Sequence, residues 1–168
     1  MSVLRIEMLG AEVLRRRAEP VPGPDPELDR LIGDMFETMY AAHGIGLAAP
    51  QVGVSRRVIV VDVGEEDREP FALLNPTAVE HGPAREKYEE GCLSIPGITA
   101  AVERPTTVVV EALDRAGQPV RIEARGMLAR CLQHEIDHLD GVLFLDRLSP
   151  IKRNMLLRKW KKQGAQQP

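Results

Sequence analysis

Near its C-terminal end the chain reads Gln133-His134-Glu135-Ile136-Asp137-His138. The pattern His-Glu-x-x-His on a helix offers two imidazole ligands to one divalent ion and a carboxylate placed to act as base. Residues four apart on a helix lie about 40° apart around the axis and one turn along it, so His134 and His138 can grip one ion from one face. Glu135 stands beside them, within reach of a water on that ion. A catalytic centre of this kind takes three protein ligands and keeps one position open. Downstream of His138 there is no His or Glu, only Asp140 and Asp146. Asp140 is too close along the helix and points elsewhere. Asp146 stays open, although nothing around it forms a recognisable signature. Upstream stand His43, His81, Cys92, Cys131 and several Glu. Cys131 is a further turn from the ion with a short side chain, so it reads as a wall of a neighbouring pocket. Cys92 lies in EEGCLSIPG, where Gly91 frees the backbone and Pro96-Gly97 turns it. Its thiol can be presented at a strand end; the alternative is a buried structural cysteine.

The elements that must hold these groups are legible in part. The Pro-rich loop Glu19 to Glu27 ends in Asp25-Pro26, a cap followed by a residue suited to the first turn. Leu28, Leu31, Ile32, Met35, Phe36, Met39 and Tyr40 then recur at helical spacing, and Gly44 is expected to stop that helix. VIVVDV (Val58 to Val63) and FALLNP (Phe71 to Pro76) read as short strands. TTVVVEAL (Thr106 to Leu113) and PVRIEA (Pro119 to Ala124) flank a hairpin turn at Asp114-Arg115-Ala116-Gly117. Met127, Leu128, Cys131, Leu132, Glu135, His138 and Leu139 are again helical, with Gly141 ending the run. A last helix is expected from the cap Ser149, with Pro150 first, to about Gln163. Helix, several strands, helix, helix argues for an α+β fold.

A chain of 168 residues, 43% hydrophobic and 28% charged, is expected to form one soluble domain over 1–168. A net charge of −3 argues against DNA binding by the molecule as a whole. No apolar run approaches a membrane span, and the N-terminal stretch does not read as a signal peptide. Two cysteines make no disulfide scaffold, and free thiols or a metal ligand in a reducing cytoplasm are expected.

Three segments together resemble one family. GIGLAAPQ (Gly44 to Gln51), EGCLS (Glu90 to Ser94) and QHEIDH (Gln133 to His138), in this order and spacing, look like peptide deformylase, and the resemblance runs over nearly the whole chain. It implies small antiparallel or mixed β-sheets packed around a central metal-binding helix, with an N-terminal and a C-terminal helix. It implies removal of the formyl group from the N-terminal formylmethionine of nascent chains, with release of formate. The ligands it implies are Cys92, His134 and His138, with Glu135 as acid/base. Gln51 and the Leu93 N–H would hold the carbonyl oxygen. Gly44-Ile45-Gly46 would form the edge along which the peptide lies, and Cys131 would line the methionine pocket. The implied cofactor is one divalent ion, Fe2+ in the cell, with Zn2+, Ni2+ and Co2+ also suited to N/S ligation.

The glycines of GIGLAAPQ also hint at a dinucleotide loop, but the full motif is absent and no strand precedes it. Glycines that let a substrate backbone approach explain the segment better. From Ser149 onward Lys152, Arg153, Arg158, Lys159, Lys161 and Lys162 stand without an acid. One reading is a solvated helix face (149–168) with Ile151, Met155 and Trp160 packed on the domain. The other is docking to ribosomal RNA. Two further readings stay beside the deformylase: a metallopeptidase using the same helix motif, and a non-enzymatic, ribosome-associated metal-binding module.

Overall fold

A computed structural model describes residues 2–166. Helix α1 (Pro26–Ala41) is followed by strands β1 (Gly46–Ala48), β2 (Val58–Val61), β3 (Phe71–His81), β4 (Arg85–Gly91), β5 (Thr99–Pro105), β6 (Thr107–Leu113) and β7 (Pro119–Arg125). Helices α2 (Gly126–Leu139) and α3 (Pro150–Gln166) complete it. Five strands form one sheet in the order β1-β2-β3-β6-β7, and β4-β5 form a second. Every strand pair among the described residues is antiparallel, so the expected α+β fold holds without a mixed sheet.

The larger sheet lies between two helices. Successive side chains on a strand point to opposite faces. Ile59 and Val61 of β2 therefore join the core around α2, with Leu132 and Leu139, while Val58 and Val60 join the core around α1, with Ile32 and Met39. That double burial is why VIVV reads as an unbroken apolar run. A third cluster joins Ile98 and Val102, from the smaller sheet and the turn before it, to Phe144 and Leu156.

Asp25 caps α1 as its sequence suggests, accepting a bond from Leu28 N–H at 2.8 Å. The helix leaves through His43, whose φ of 59° is the left-handed turn, and not through Gly44. Gly44 answers a different need: a Cβ there would stand 2.7 Å from Leu93 Cδ1. β3 runs five residues past the expected run, because Asn75 takes a φ of 51° and the register with β6 slips between Leu74 and Thr77. The Asn75 amide pays for its strained backbone by bonding both Val21 N–H and Val21 C=O at 2.8 Å.

β1, β4 and β5 are absent from the sequence reading. β4 is polar and exposed except for Glu90. β5 alternates, but its inward positions are Ala100, Val102 and Arg104, and the arginine breaks the apolar pattern. On α3, Leu156, Leu157 and Trp160 pack on the third cluster. Ile151 and Met155 do not pack as expected; they are 83% and 58% exposed.

Candidate active site

Helix α2 enters the middle of the molecule, and its apolar positions bury it against the sheet. The helix also carries Arg130, Gln133, Glu135, Asp137 and His138, all buried. Gln133 anchors the helix by donating to Pro105 C=O at 3.0 Å. His134 Nε2 and His138 Nε2 lie 3.3 Å apart, and Cys92 Sγ is 3.4 Å from His138 Nε2. One donor atom from each of the three residues lies within 4.8 Å of the others, the one such group found among the described residues. Cys92 reaches this point because β4 ends at Gly91 and the chain turns at once, with Ile95 N–H bonded to Cys92 C=O at 2.9 Å.

The other third-ligand candidates are occupied or distant. Asp140 accepts from Arg57, and Asp146 pairs with Arg15. Cys131 points its thiol at Ile45 C=O, 3.6 Å away. Burial pushes that thiol well above its ordinary pKa, with Glu135 and Glu90 adding to the effect, so it stays protonated.

Gln51 sits on the short turn Ala49–Val52 after β1. Its Oε1 accepts from Ala48 N–H at 3.0 Å, which fixes the amide orientation. Nε2 then faces Ser94 Oγ at 3.1 Å and Cys92 Sγ at 3.5 Å. A cavity of ≈ 380 Å³ opens beside these groups, lined among others by Gly44, Ile45, Gln51, Leu93, Cys131 and Glu135. β1 is the edge strand of the larger sheet, and Ile45 and Gly46 put that edge at the cavity wall. Gly46 is required by packing within the protein. A Cβ there would stand 2.6 Å from Glu135 Oε2 and 2.7 Å from Cys131 Sγ.

A buried ionic network that the sequence reading missed supports the donors. His134 Nδ1 meets Glu90 Oε1 at 2.8 Å, turning Nε2 toward the other donors. Glu90 also receives a two-pronged grip from Arg104, at 2.7 and 3.0 Å, and Arg130 Nη1 at 2.6 Å. Arg104 continues to Asp137 at 2.9 Å, which Arg147 holds from outside at 2.7 Å. A carboxylate bonded to the second nitrogen of a ligating His sets its tautomer and raises its basicity. Glu90 stands inside EGCLS, the segment that carries Cys92, and that is its one local signal. Arg104 carries no such local signal.

The charges fit a cation at this point. Burial pulls His134 down, but its bonds to Cys92 and Glu90 and the nearby Glu135 carry it to about 10. Burial pushes Glu90 up, yet His134 and Arg104 outweigh that and hold it at about 2. His138 is held well below the ordinary histidine value by burial and by the charge on His134, which leaves a neutral imidazole ready to ligate. Burial lifts Glu135 to about 7, close to the value that suits proton transfer at neutral pH.

Comparison with known proteins agrees with this arrangement. The family model of polypeptide deformylase matches residues 3–154. The chain belongs to the polypeptide deformylase family. A peptide deformylase of Hydrogenovibrio crunogenus is 52% identical over 167 residues, covering 99% of this chain and 98% of that protein. One from Brucella suis is 49% identical, covering 99% and 96%. Among solved structures, the Ehrlichia chaffeensis peptide deformylase in complex with actinonin superposes with a TM-score of 0.92 at 44% identity, covering 97% of this chain and 98% of that one. The Legionella pneumophila peptide deformylase gives a TM-score of 0.88 at 49% identity, covering 99% of both. The α+β architecture of this chain is thus the deformylase architecture.

Proposed function

We propose that this chain, acting as a single catalytic domain, hydrolyses the formyl amide of N-terminal formylmethionine on nascent polypeptides and releases formate. The observation that carries the reading is the convergence of Cys92, His134 and His138, with Cys92, His134 and Glu135 lining a cavity beside a free strand edge. Two imidazoles and one thiolate fit a divalent ion and leave a position for the reaction. When bound, such an ion supplies Lewis acidity, which makes water more acidic and polarises a carbonyl. Fe2+ is the proposed ion in the cell; Zn2+, Ni2+ and Co2+ also suit N/S donors.

The chain's own residues do the remaining work. Glu135, buried and raised toward neutrality, accepts the proton of the attacking water and passes it to the leaving amine. Gln51 points its amide N–H groups into the site, and the Leu93 N–H acts beside it. Each donor at the developing oxyanion contributes about 3–4 kcal/mol. The peptide adds as a strand to the edge at Gly44, Ile45 and Gly46, through main-chain bonds that tolerate many sequences. Cys131, kept as a neutral thiol, lines the pocket for the methionine side chain.

Formyl-Met-Ala and Met-Ala test the reading together. Formate released from the first, with both backbones intact, is the expected outcome. Cleavage of the Met-Ala bond would instead make the protein a peptidase, and inertness toward both would leave a binding module. Metal analysis of anaerobically purified protein, with formate release assayed for each ion, tests the choice of Fe2+.

No described helix is long and apolar enough to cross a membrane, and the proposed location is the cytoplasm. The basic face of α3 is proposed to dock on ribosomal RNA. Leu156, Leu157 and Trp160 anchor that helix while Lys152, Arg158, Lys159, Lys161 and Lys162 stay exposed. A salt-dependent ribosome affinity that is lost on truncation after Pro150 is expected; unchanged affinity would remove this part.

A further inference from the structure

The ionic network behind His134 ends in a second cavity. From His134 its bonds run through Glu90 and Arg104 to Asp137 and Arg147. The cavity, of ≈ 320 Å³, has His81, Arg85, Glu103, Arg104, Asp137 and Arg147 among its lining residues. It shares no residue with the cavity beside the metal donors. Helix α2 gives Gln133, Ile136 and Asp137 to the one and His134 and Glu135 to the other.

Two arginines here keep unused donors. Arg147 grips both oxygens of Asp137, with Nε at 3.1 Å and Nη2 at 2.7 Å. A guanidinium carries five N–H donors, and Nη1 of Arg147 has no bond among the described residues. Arg85 is held more loosely. Its ion-pair partner is Glu103 at 3.8 Å, and both side chains are about half exposed. That separation is too long for a hydrogen bond, and an exposed pair of this kind is worth little. Arg85 can therefore turn to a better acceptor at small cost.

The network is also short of negative charge. Arg104, Arg130 and Arg147 face Glu90 and Asp137, three cations against two anions. Arg104 and Glu90 are almost wholly buried, where charge left unbalanced is costly. The surplus is positive, and it stands behind a site suited to a metal cation.

We propose that this cavity binds a small oxyanion of the sulfate or phosphate class, held between Arg85 and Nη1 of Arg147. Such an anion presents several acceptor oxygens, which suit the guanidinium fork. His81, also in the lining, adds a ring N–H. The bound oxyanion cancels the surplus positive charge behind His134, so a metal cation is held longer. The site stands without the deformylase reading; its effect on the metal rests on the ligand set Cys92, His134 and His138.

The test uses Ni2+-loaded protein and sodium sulfate, with chloride keeping the ionic strength constant. Calorimetric titration of the wild type is expected to show saturable sulfate binding at a single site. R85M leaves every bond of the network in place, since Arg85 makes none of them. It should weaken sulfate binding about tenfold, the scale of one charged hydrogen bond, and R85E should abolish it. Sulfate should slow the loss of Ni2+ to EDTA several-fold in the wild type and leave it unchanged in R85E. No saturable binding to the wild type overturns the site. Equal binding by wild type and R85M overturns it too, because the anion would then sit elsewhere. Binding that R85E abolishes, with Ni2+ loss from the wild type unmoved by sulfate, overturns the link to the metal. Formate release from formyl-Met-Ala by the wild-type protein reports separately on the deformylase reading.

Discussion

Around Cys92, His134 and His138, the buried atoms Glu135 Oε1 and His138 Nδ1 have no hydrogen-bond partner among the described residues. A few ångströms away, in the network behind His134, both oxygens of Glu90 and both of Asp137 are taken by arginines or by His134. Both regions place charge in the interior, where an unpaired polar group is costly and a fully paired set is rigid. The paired carboxylates have no oxygen left to offer a ligand, so this region acts as a frame. Glu135 Oε1 and His138 Nδ1 have no such partners, a condition that Glu37 Oε2 on α1 shares.

Substitutions on the two sides should therefore fail differently. Cys92→Ala is expected to have the largest effect: metal content falls far below one per chain, and activity falls with it, read by metal analysis. Stoichiometric metal in that variant would move the third ligand elsewhere. Glu135→Gln should keep its metal and fold while turnover drops by about 10²–10⁴, the usual contribution of a positioned acid/base. Wild-type-like formate release would remove Glu135 from the proton path. Arg104→Met strikes the frame. It leaves Glu90 and Asp137 short of partners in the interior, so denaturant unfolding should show a loss of about 3–5 kcal/mol. Metal affinity should weaken by about 10–100-fold as His134 loses its orientation. A variant of wild-type stability and affinity would mean that the network does not act as a frame.

The smallest effect lies outside both regions. Asp146 pairs with Arg15 and accepts Leu143 N–H at 2.9 Å. Burial pushes its carboxyl up, but those partners outweigh it and hold the pKa below the ordinary 3.8. A lowered carboxylate stabilises the fold at pH values above the unfolded pKa, and that contribution disappears as pH falls through the folded one. Asp146→Asn is expected to cost about 1–2 kcal/mol at pH 7, the scale of a charged hydrogen bond at a cap. The gap between variant and wild type should close below about pH 4 in unfolding curves taken across pH. A gap of constant size would show that the charge of Asp146 is not what matters.

Reading the chain as sequence succeeded where the signal was local. His134, Glu135 and His138 share a helix whose apolar period is plain, and Asp25 announces its cap three residues before the bond it makes. The reading ended where one strand carries charges inward. Arg104 occupies a position that alternation assigns to an apolar side chain, and nothing within β5 says that Glu90 waits across the pair. The glycines of GIGLAAPQ show the same limit. Their smallness was evident, but the atoms that need the space lie far along the chain, on Leu93 for Gly44 and on Cys131 and Glu135 for Gly46.

The sequence by itself determined the helix that carries His134, Glu135 and His138, the strands β2, β6 and β7, and the absence of a further His or Glu downstream of His138. These follow from periodicity and residue type, which act within a few turns of chain. Only the tertiary structure decided that Cys92 meets His138 across 46 residues, that Gln51 meets Cys92 across 41, and that Arg104 joins Glu90 to Asp137. Such meetings depend on how two sheets pack around α2, and the free energy that fixes the packing is spread over three apolar clusters rather than written at any one position.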